Sequence, residues 1–195
     1  SGTGRVSLPL IEAGIPLTCV DNAPEMLDRL RAHLRERHLK ADVRLMDVRA
    51  LALERRFDLI FIPFNAFAEL RTTEDQRAAL AGIRAHLAPG GRFVCTLHNP
   101  AVRRQRIDGQ LRLWRKAALP DGGTLLLWGT EQLDPATGIV EALAIFEEFA
   151  SDGSQRSRGL FPLRFALLDW EAFEALAAEA GFRIAARYGN YDRAP

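Results

Sequence analysis

The chain has 195 residues, 48% of them hydrophobic and 26% charged, with a formal net charge of +1. That length suits one domain with a modest insertion and a sizeable core, and the even charge balance excludes a global pull toward nucleic acid or membrane. No apolar run reaches the roughly 18 residues of a membrane span, no secretory signal is visible, and Cys19 and Cys95 sit in short apolar runs that predict buried thiols rather than a disulfide or metal site. The cytoplasm is the expected location. Arginine supplies almost all the basic charge, and with abundant Ala and Leu this is the composition of a GC-rich bacterial genome.

Gly2-Thr3-Gly4-Arg5 opens the chain as a glycine turn of the kind that lets backbone approach a ligand. Such a loop ordinarily follows a buried strand, and only Ser1 precedes it, so the chain is expected to lack its first strand. Residues 5–13 predict a short helix ended by Gly14. Leu17-Thr18-Cys19-Val20 reads as a buried parallel strand closed by Asp21. A helix follows with Pro24 in its first turn and Met26, Leu27, Leu30 and Leu34 on one face. His33 and His38 fall on that helix as solvated residues. Val43-Arg44-Leu45-Met46, closed by Asp47, and Phe57-Asp58-Leu59-Ile60-Phe61-Ile62 are the next two strands. Thr73-Glu74-Asp75-Gln76 is a capping box opening a helix with Leu80, Ile83 and Leu87. Pro89-Gly90-Gly91 stops it, and Arg92-Phe93-Val94-Cys95-Thr96-Leu97 is a fourth strand. The alternation predicts an α/β, Rossmann-like doubly wound sheet over 1–109.

From 110 to 167 the pattern becomes strand after strand: 111–118, 123–133, 138–149 and 158–167. The turns between them are Pro120-Asp121-Gly122-Gly123, Pro135-Ala136-Thr137-Gly138 and Ser151-Asp152-Gly153. This is an antiparallel β meander inserted into the α/β unit. Residues 168–195 complete a single domain with a helix through Phe173, Leu176, Ala177 and Ala180, stopped by Gly181, and the start of a strand at Phe182-Arg183-Ile184-Ala185. The partner of that last strand is expected to be missing.

In open α/β sheets, ligands bind beyond the carboxyl ends of the strands. The Gly2/Gly4 loop, Asp21 and Asp47 all fall there. A carboxylate at Asp21 suits both hydroxyls of a ribose, and one at Asp47 suits an adenine's exocyclic amine, so together they describe an adenosine site. A nicotinamide-binding oxidoreductase is the alternative, since an acid also follows its Gly-x-Gly-x-x-Gly loop by about 20 residues. Its third glycine would fall at Ser7, and it leaves Asp47 and Pro89-Gly90-Gly91 unexplained.

The run Gly2-Thr3-Gly4-Arg5-Val6-Ser7-Leu8-Pro9-Leu10 and then Val20-Asp21-Asn22-Ala23-Pro24-Glu25-Met26-Leu27 resembles the first two motifs of class I S-adenosylmethionine-dependent methyltransferases. Asp47-Val48, the stretch from Phe57 through Pro63-Phe64-Asn65-Ala66-Phe67, and Leu87-Ala88-Pro89-Gly90-Gly91 are similar to the later ones. The resemblance implies S-adenosylmethionine as cofactor and methyl transfer to a small-molecule acceptor. Gly2, Thr3, Gly4 and Arg5 would hold the methionyl part; Asp21, with Asn22, the ribose; Met26, Asp47 and Val48 the adenine. Pro63, Phe64 and Asn65 would lie under the sulfonium, facing the acceptor.

His98, after the fourth strand, is the expected general base, with Asn65 as a hydrogen-bonding alternative and Glu69 as a weaker acid or base. The meander is expected to cover the acceptor, with Phe67, Trp114, Arg164, Tyr188 and Tyr191 as candidate contacts. Trp128, Phe146, Phe161 and Phe165 are expected to pack the meander. Arg103-Arg104-Gln105-Arg106 with Arg112, Arg115 and Lys116 reads as a solvated charged loop, an RNA-contacting face being the lesser alternative. A cofactor-binding protein without catalysis also fits these residues, because the chemistry needs no invariant side chain.

Overall fold

The structure, a computed structural model, describes residues 1–190 and residue 192. It comprises two units. The first contains Ser1–Phe67, Thr73–Thr96 and Glu174–Ala186; the second contains Ala68–Thr72, Leu97–Phe173 and the described residues from Arg187 onward.

In the first unit the glycine loop runs into α1 (Ser7–Glu12), then β1 (Thr18–Asp21), α2 (Pro24–Glu36), β2 (Asp42–Leu45), β3 (Phe57–Ile62), α3 (Thr73–His86) and β4 (Leu87–Cys95). Pro24 sits where a helix has no use for an N–H, and Glu25 near the start with His33 and Arg35 near the end complement the helix dipole. Leu27, Leu30 and Leu34 bury one face of α2 against Leu8 and Ile11 of α1 and Cys19 of β1. Each such leucine contributes about 1.5–3 kcal/mol of burial. β1 pairs with β2 and β3 with β4, both in parallel and each pair joined through a helix, so the ladders are two two-stranded sheets.

Two expectations need correction here. Pro89-Gly90-Gly91 does not separate helix from strand: β4 begins at Leu87, opposite Phe57, and the Pro-Gly-Gly segment is a bulge before Arg92 pairs with Leu59. Residues 182–185 form no strand, since they have no ladder partner among the described residues; Phe182 packs its ring against Phe93 at 5.8 Å. Cys19 and Cys95 are free thiols, and burial pushes Cys95 up to about 12, leaving it inert.

The second unit is built on the meander β5 (Arg112–Ala118), β6 (Thr124–Asp134), β7 (Ile139–Phe149) and β8 (Gln155–Ala166), antiparallel and in that spatial order. Each turn is held by its own aspartate: Asp121 accepts from the Gly123 N–H, Asp134 from Ala136 and Thr137, and Asp152 from Ser154. Pro162 is accommodated because β8 is an edge strand, where a missing N–H breaks no outer ladder.

One element was not expected. Residues Pro100–Arg106 form α4, with the Asn99 side chain accepting from the Val102 N–H at 3.2 Å and Pro100 in the first turn. The Arg103–Arg106 cluster is therefore helical, not a loop. The last helix, α5 (Trp170–Glu179), buries Phe173, Leu176 and Ala177. Among the described residues, no helix is long and apolar enough to cross a membrane, and no His/Cys/Asp/Glu cluster could hold a metal.

Candidate functional site

The glycine loop uses its two glycines for different ends. Both have positive φ, +55° at Gly2 and +98° at Gly4. A Cβ on Gly4 would lie 2.6 Å from Leu30 Cδ1 and 2.9 Å from Leu8 Cγ, so the loop is pressed onto α1 and α2 there. A Cβ on Gly2 would meet nothing within 4 Å. Gly4 seats the loop, and Gly2 leaves space for a ligand to approach the backbone. His33 is a third anchor, its Nδ1 lying 3.1 Å from the Thr3 carbonyl oxygen. The expectation that His33 is solvated is corrected: it follows Leu30 by three residues and precedes Leu34, so it shares the buried side of α2. That spacing was a readable signal.

Asp21 ends β1 directly beneath this loop. Its Oδ2 accepts from the Gly2 N–H at 2.7 Å, and its Oδ1 accepts from the Ala23 N–H at 3.0 Å. Burial acts to raise the carboxyl's pKa, but the Gly2 and Ala23 N–H bonds outweigh it and hold the group below its ordinary value. Two of about four acceptor sites on the carboxylate are taken by backbone N–H groups, which leaves acceptor capacity for a hydroxyl donor. Next to it, Asn22 is exposed, and Met26 is 45% exposed and free to lie against a ligand.

Asp47 is more fully committed. It caps the short 3-10 turn Val48–Ala50 through the Arg49 N–H at 2.8 Å, and the Arg49 guanidinium grips both of its oxygens while reaching Asp75 at 3.0 Å. An adenine amine at Asp47 would compete with Arg49, a partner the sequence reading did not foresee. Val48 is half-buried in the same turn.

The loop after β3 carries backbone strain. Phe64 and Asn65 have φ of +56° and +59°, consecutive left-handed conformations in residues that are not glycine. The Asn65 N–H donates to Thr96 Oγ1 at 3.0 Å, and the Thr96 N–H donates to the Ile62 carbonyl at 3.1 Å. Thr96, which the sequence reading left without a role, thus fixes the loop to the end of β4. Pro63 is half-buried, and the ring of Phe64, half-exposed, lies under the Arg5 guanidinium at 3.6 Å from its centroid. Phe67 is a correction: at 1% exposure it is an interior residue and offers no surface to an acceptor.

The remaining candidates belong to the second unit. His98 stacks on Phe165 at 4.9 Å. Burial lowers its pKa and the nearby Arg103 lowers it further, which favours the neutral imidazole. The Trp114 ring lies flat across Gly129 of β6. It borders a cleft of about 420 Å³ lined also by Arg106, Gln110, Arg112 and Glu131. Arg164 is paired with Glu141 at 2.8 Å, directly across the β7–β8 ladder, so its charge is already answered. Tyr188 is exposed, and Tyr191 lies outside the described residues. In the basic cluster, Arg103 pairs with Glu131, Arg104 with Asp169 at 2.8 Å, and Arg112 with Asp108.

Comparison with known proteins shows what this chain resembles. Residues 1–91 match the model of a methyltransferase domain. The chain is 28% identical over 195 residues, 99% of its length, to a glycine/sarcosine N-methyltransferase of Parasynechococcus marenigrum. It is 34% identical over 113 residues, 57% of its length, to a cypemycin N-terminal methyltransferase of Streptomyces. It spans 64% and 44% of these two relatives. Among solved structures it resembles the CcbJ methyltransferase of Streptomyces caelestis, with a TM-score of 0.79 and 27% identity over 99% of this chain and 74% of that one. A methyltransferase of Clostridium acetobutylicum shares the fold at a TM-score of 0.82 and 19% identity, over 99% of this chain and 74% of that one. Residues 1–91 thus match a methyltransferase domain, and the chain shares the fold of solved S-adenosylmethionine-dependent methyltransferases.

Proposed function

We propose that this protein transfers a methyl group from S-adenosylmethionine to an amino nitrogen of a small molecule or peptide terminus, releasing S-adenosylhomocysteine and a proton. The observation that carries the reading is the pairing of open space at Gly2 with the Asp21 carboxylate hydrogen-bonded to that same residue. A backbone cradle and a strong acceptor with a free lone pair, side by side at the end of β1, fit the hydroxyl donors of a ribose. The two curated relatives favour nitrogen, one being named for glycine and sarcosine and the other for a peptide N-terminus.

When bound, the cofactor supplies an electrophilic methyl on its sulfonium; the protein's part is orientation. Gly2, Thr3, Gly4 and Arg5 hold the methionyl end, Asp21 and Asn22 the ribose, and Met26, Asp47 and Val48 the adenine. Asn65 and Phe64, fixed by Thr96 and Arg5, orient the acceptor. The acceptor amine must be neutral to attack, and His98, its neutral form favoured by burial, is the group that takes its proton. In this reading residues 110–167 cover the acceptor, through Trp114 in particular, and the protein works in the cytoplasm. The ion pairs of Arg103, Arg104 and Arg112 argue against an RNA face, since each guanidinium already has a carboxylate.

Calorimetry with S-adenosylhomocysteine and NAD side by side tests the reading, with only the former expected to bind. Asp21→Ala should abolish that binding; unchanged affinity would show the ribose to be misplaced. Release of S-adenosylhomocysteine with an amine acceptor separates an enzyme from a protein that only binds the cofactor.

A further inference from the structure

Residues 46–56, between β2 and β3, have no ladder partner among the described residues, so other bonds must hold them. The Ala52 N–H donates to Met46 Sδ at 3.3 Å, which closes the segment on itself beside Asp47. The rest of the grip comes from α3. In the first turn of that helix Asp75 accepts from Arg49, which also holds Asp47. Further along, Gly82 lies against the segment: a Cβ there would sit 3.5 Å from Leu51 Cβ and 3.6 Å from the Val48 carbonyl oxygen. At the last residue of α3 the Leu53 N–H donates to His86 Nε2 at 2.9 Å, and His86 Nδ1 lies 2.7 Å from the Gly82 carbonyl oxygen. The two bonds agree on one tautomer. With Nε2 accepting, Nδ1 carries the ring proton and donates to Gly82. His86 is half-buried, so its second nitrogen is a fixed acceptor for a backbone N–H of the segment. A half-buried N–H stripped of its acceptor is costly, and the segment therefore stays where His86 puts it.

We propose that His86 is a positioning residue for the nucleobase: through the Leu53 N–H it sets the segment that presents Asp47 and Val48, and so sets the preference for a 6-amino over a 6-oxo purine. This rests on the methyltransferase reading, which puts the adenine at Asp47 and Val48, and deepens it. A hydrogen bond from the 6-amine to the carboxylate needs close alignment, because such bonds weaken steeply with distance and angle. Asp47 is also gripped by Arg49, so a small drift of the segment leaves the carboxylate wholly with the guanidinium and the amine without an acceptor. A 6-oxo purine presents a carbonyl oxygen there, which gains nothing from a carboxylate in either placement. Loss of the His86 anchor is therefore read in selectivity rather than in affinity as a whole.

The test measures binding, not turnover. The wild-type chain, His86→Ala, His86→Leu and His86→Gln are titrated with S-adenosylhomocysteine and with S-inosylhomocysteine, in which a 6-oxo group replaces the 6-amine, and each is melted in denaturant. The wild type should prefer the adenosine form by about 10- to 100-fold, the range of a hydrogen bond to a charged group. His86→Ala and His86→Leu remove the acceptor and should bring the preference below about 3-fold by weakening S-adenosylhomocysteine, while S-inosylhomocysteine binds nearly as before. His86→Gln can offer its side-chain oxygen to the Leu53 N–H and should restore most of the preference. Should His86→Ala not fold, His86→Leu, closer in size to the imidazole, carries the comparison. The proposal is overturned if the variants without an acceptor keep the wild-type preference, if they weaken both ligands by the same factor, or if His86→Gln behaves as His86→Leu does. A wild type that binds both ligands alike would refute the placement of the adenine at Asp47, and this proposal with it. Failure of the wild-type chain to bind either ligand would instead sink the methyltransferase reading itself.

Discussion

In the β meander, charged side chains are placed by strand register. Glu141 lies opposite Arg164 and Glu147 opposite Arg158, and both pairs form ion pairs across the ladder. Arg156 answers Asp121, and Arg103 answers Glu131. In the α/β unit the groups proposed to face a ligand lie instead in loops after strands. There the backbone is bent into left-handed conformations, Gly2 is open, and Arg5 has a ring beneath it but no carboxylate beside it. A sheet satisfies its own side chains as it pairs, because register sets opposite charges 4.5–5.5 Å apart. A loop held by a few anchors leaves donors for something else. The comparison teaches that a dense cluster of arginines is weak grounds for a binding face where its members pair with nearby carboxylates, as Arg103, Arg104 and Arg112 do.

The contrast is sharpest within the glycine loop, and there the largest effect is expected. Gly4→Ala should cost about 3–5 kcal/mol, combining overpacking against Leu30 and Leu8 with positive-φ strain. Gly2→Ala should cost only about 1–2 kcal/mol of strain, yet weaken S-adenosylhomocysteine markedly, because the new Cβ fills the open side. Denaturant melts and calorimetry on both variants check this. Equal destabilisation with equal binding would erase the division of labour between the two glycines.

A middling effect belongs to the meander. Glu131→Ala removes a carboxylate only 10% exposed and leaves Arg103, whose Nε already has no partner, half-buried without its counter-charge. We expect a loss of about 2 kcal/mol in thermal or urea unfolding. Glu141→Ala, at an exposed pair, should be indistinguishable from wild type. Similar losses at the two sites would show that burial does not decide which ion pairs matter.

The smallest effect concerns His98. Its folded-state pKa lies below that of a free imidazole, because burial and then Arg103 disfavour the cation. The unfolded chain therefore takes up the proton first. Stability should fall as pH drops through about 6.5 and level off below the folded-state pKa. His98→Asn should flatten that part of the stability–pH curve. An unchanged slope would mean the imidazole titrates freely, which would weaken its case as a neutral base.

Much of this was legible in the chain itself. The alternation of strand and helix, the turn residues of the meander, and the apolar face of Leu27, Leu30 and Leu34 are local patterns, written in spacings of two and of three to four residues. α4 is also signalled by Asn99-Pro100, a cap followed by a helix-starting proline, although a run of arginines is equally the mark of a solvated loop. The division between Gly2 and Gly4 was not visible, since it depends on which glycine Leu8 and Leu30 press against. Arg49 on Asp47, Thr96 on Asn65 and the burial of Phe67 were beyond reach for the same reason.

Periodicity and turn chemistry act over a few residues, so sequence alone determined most of the elements, their order, and the glycine loop with its strand-terminal acids. Partners that arrive from distant parts of the chain are decided only when the chain is packed. Tertiary structure therefore chose which acid is tied up by an arginine, which arginines gain an ion pair, and which histidine becomes an anchor.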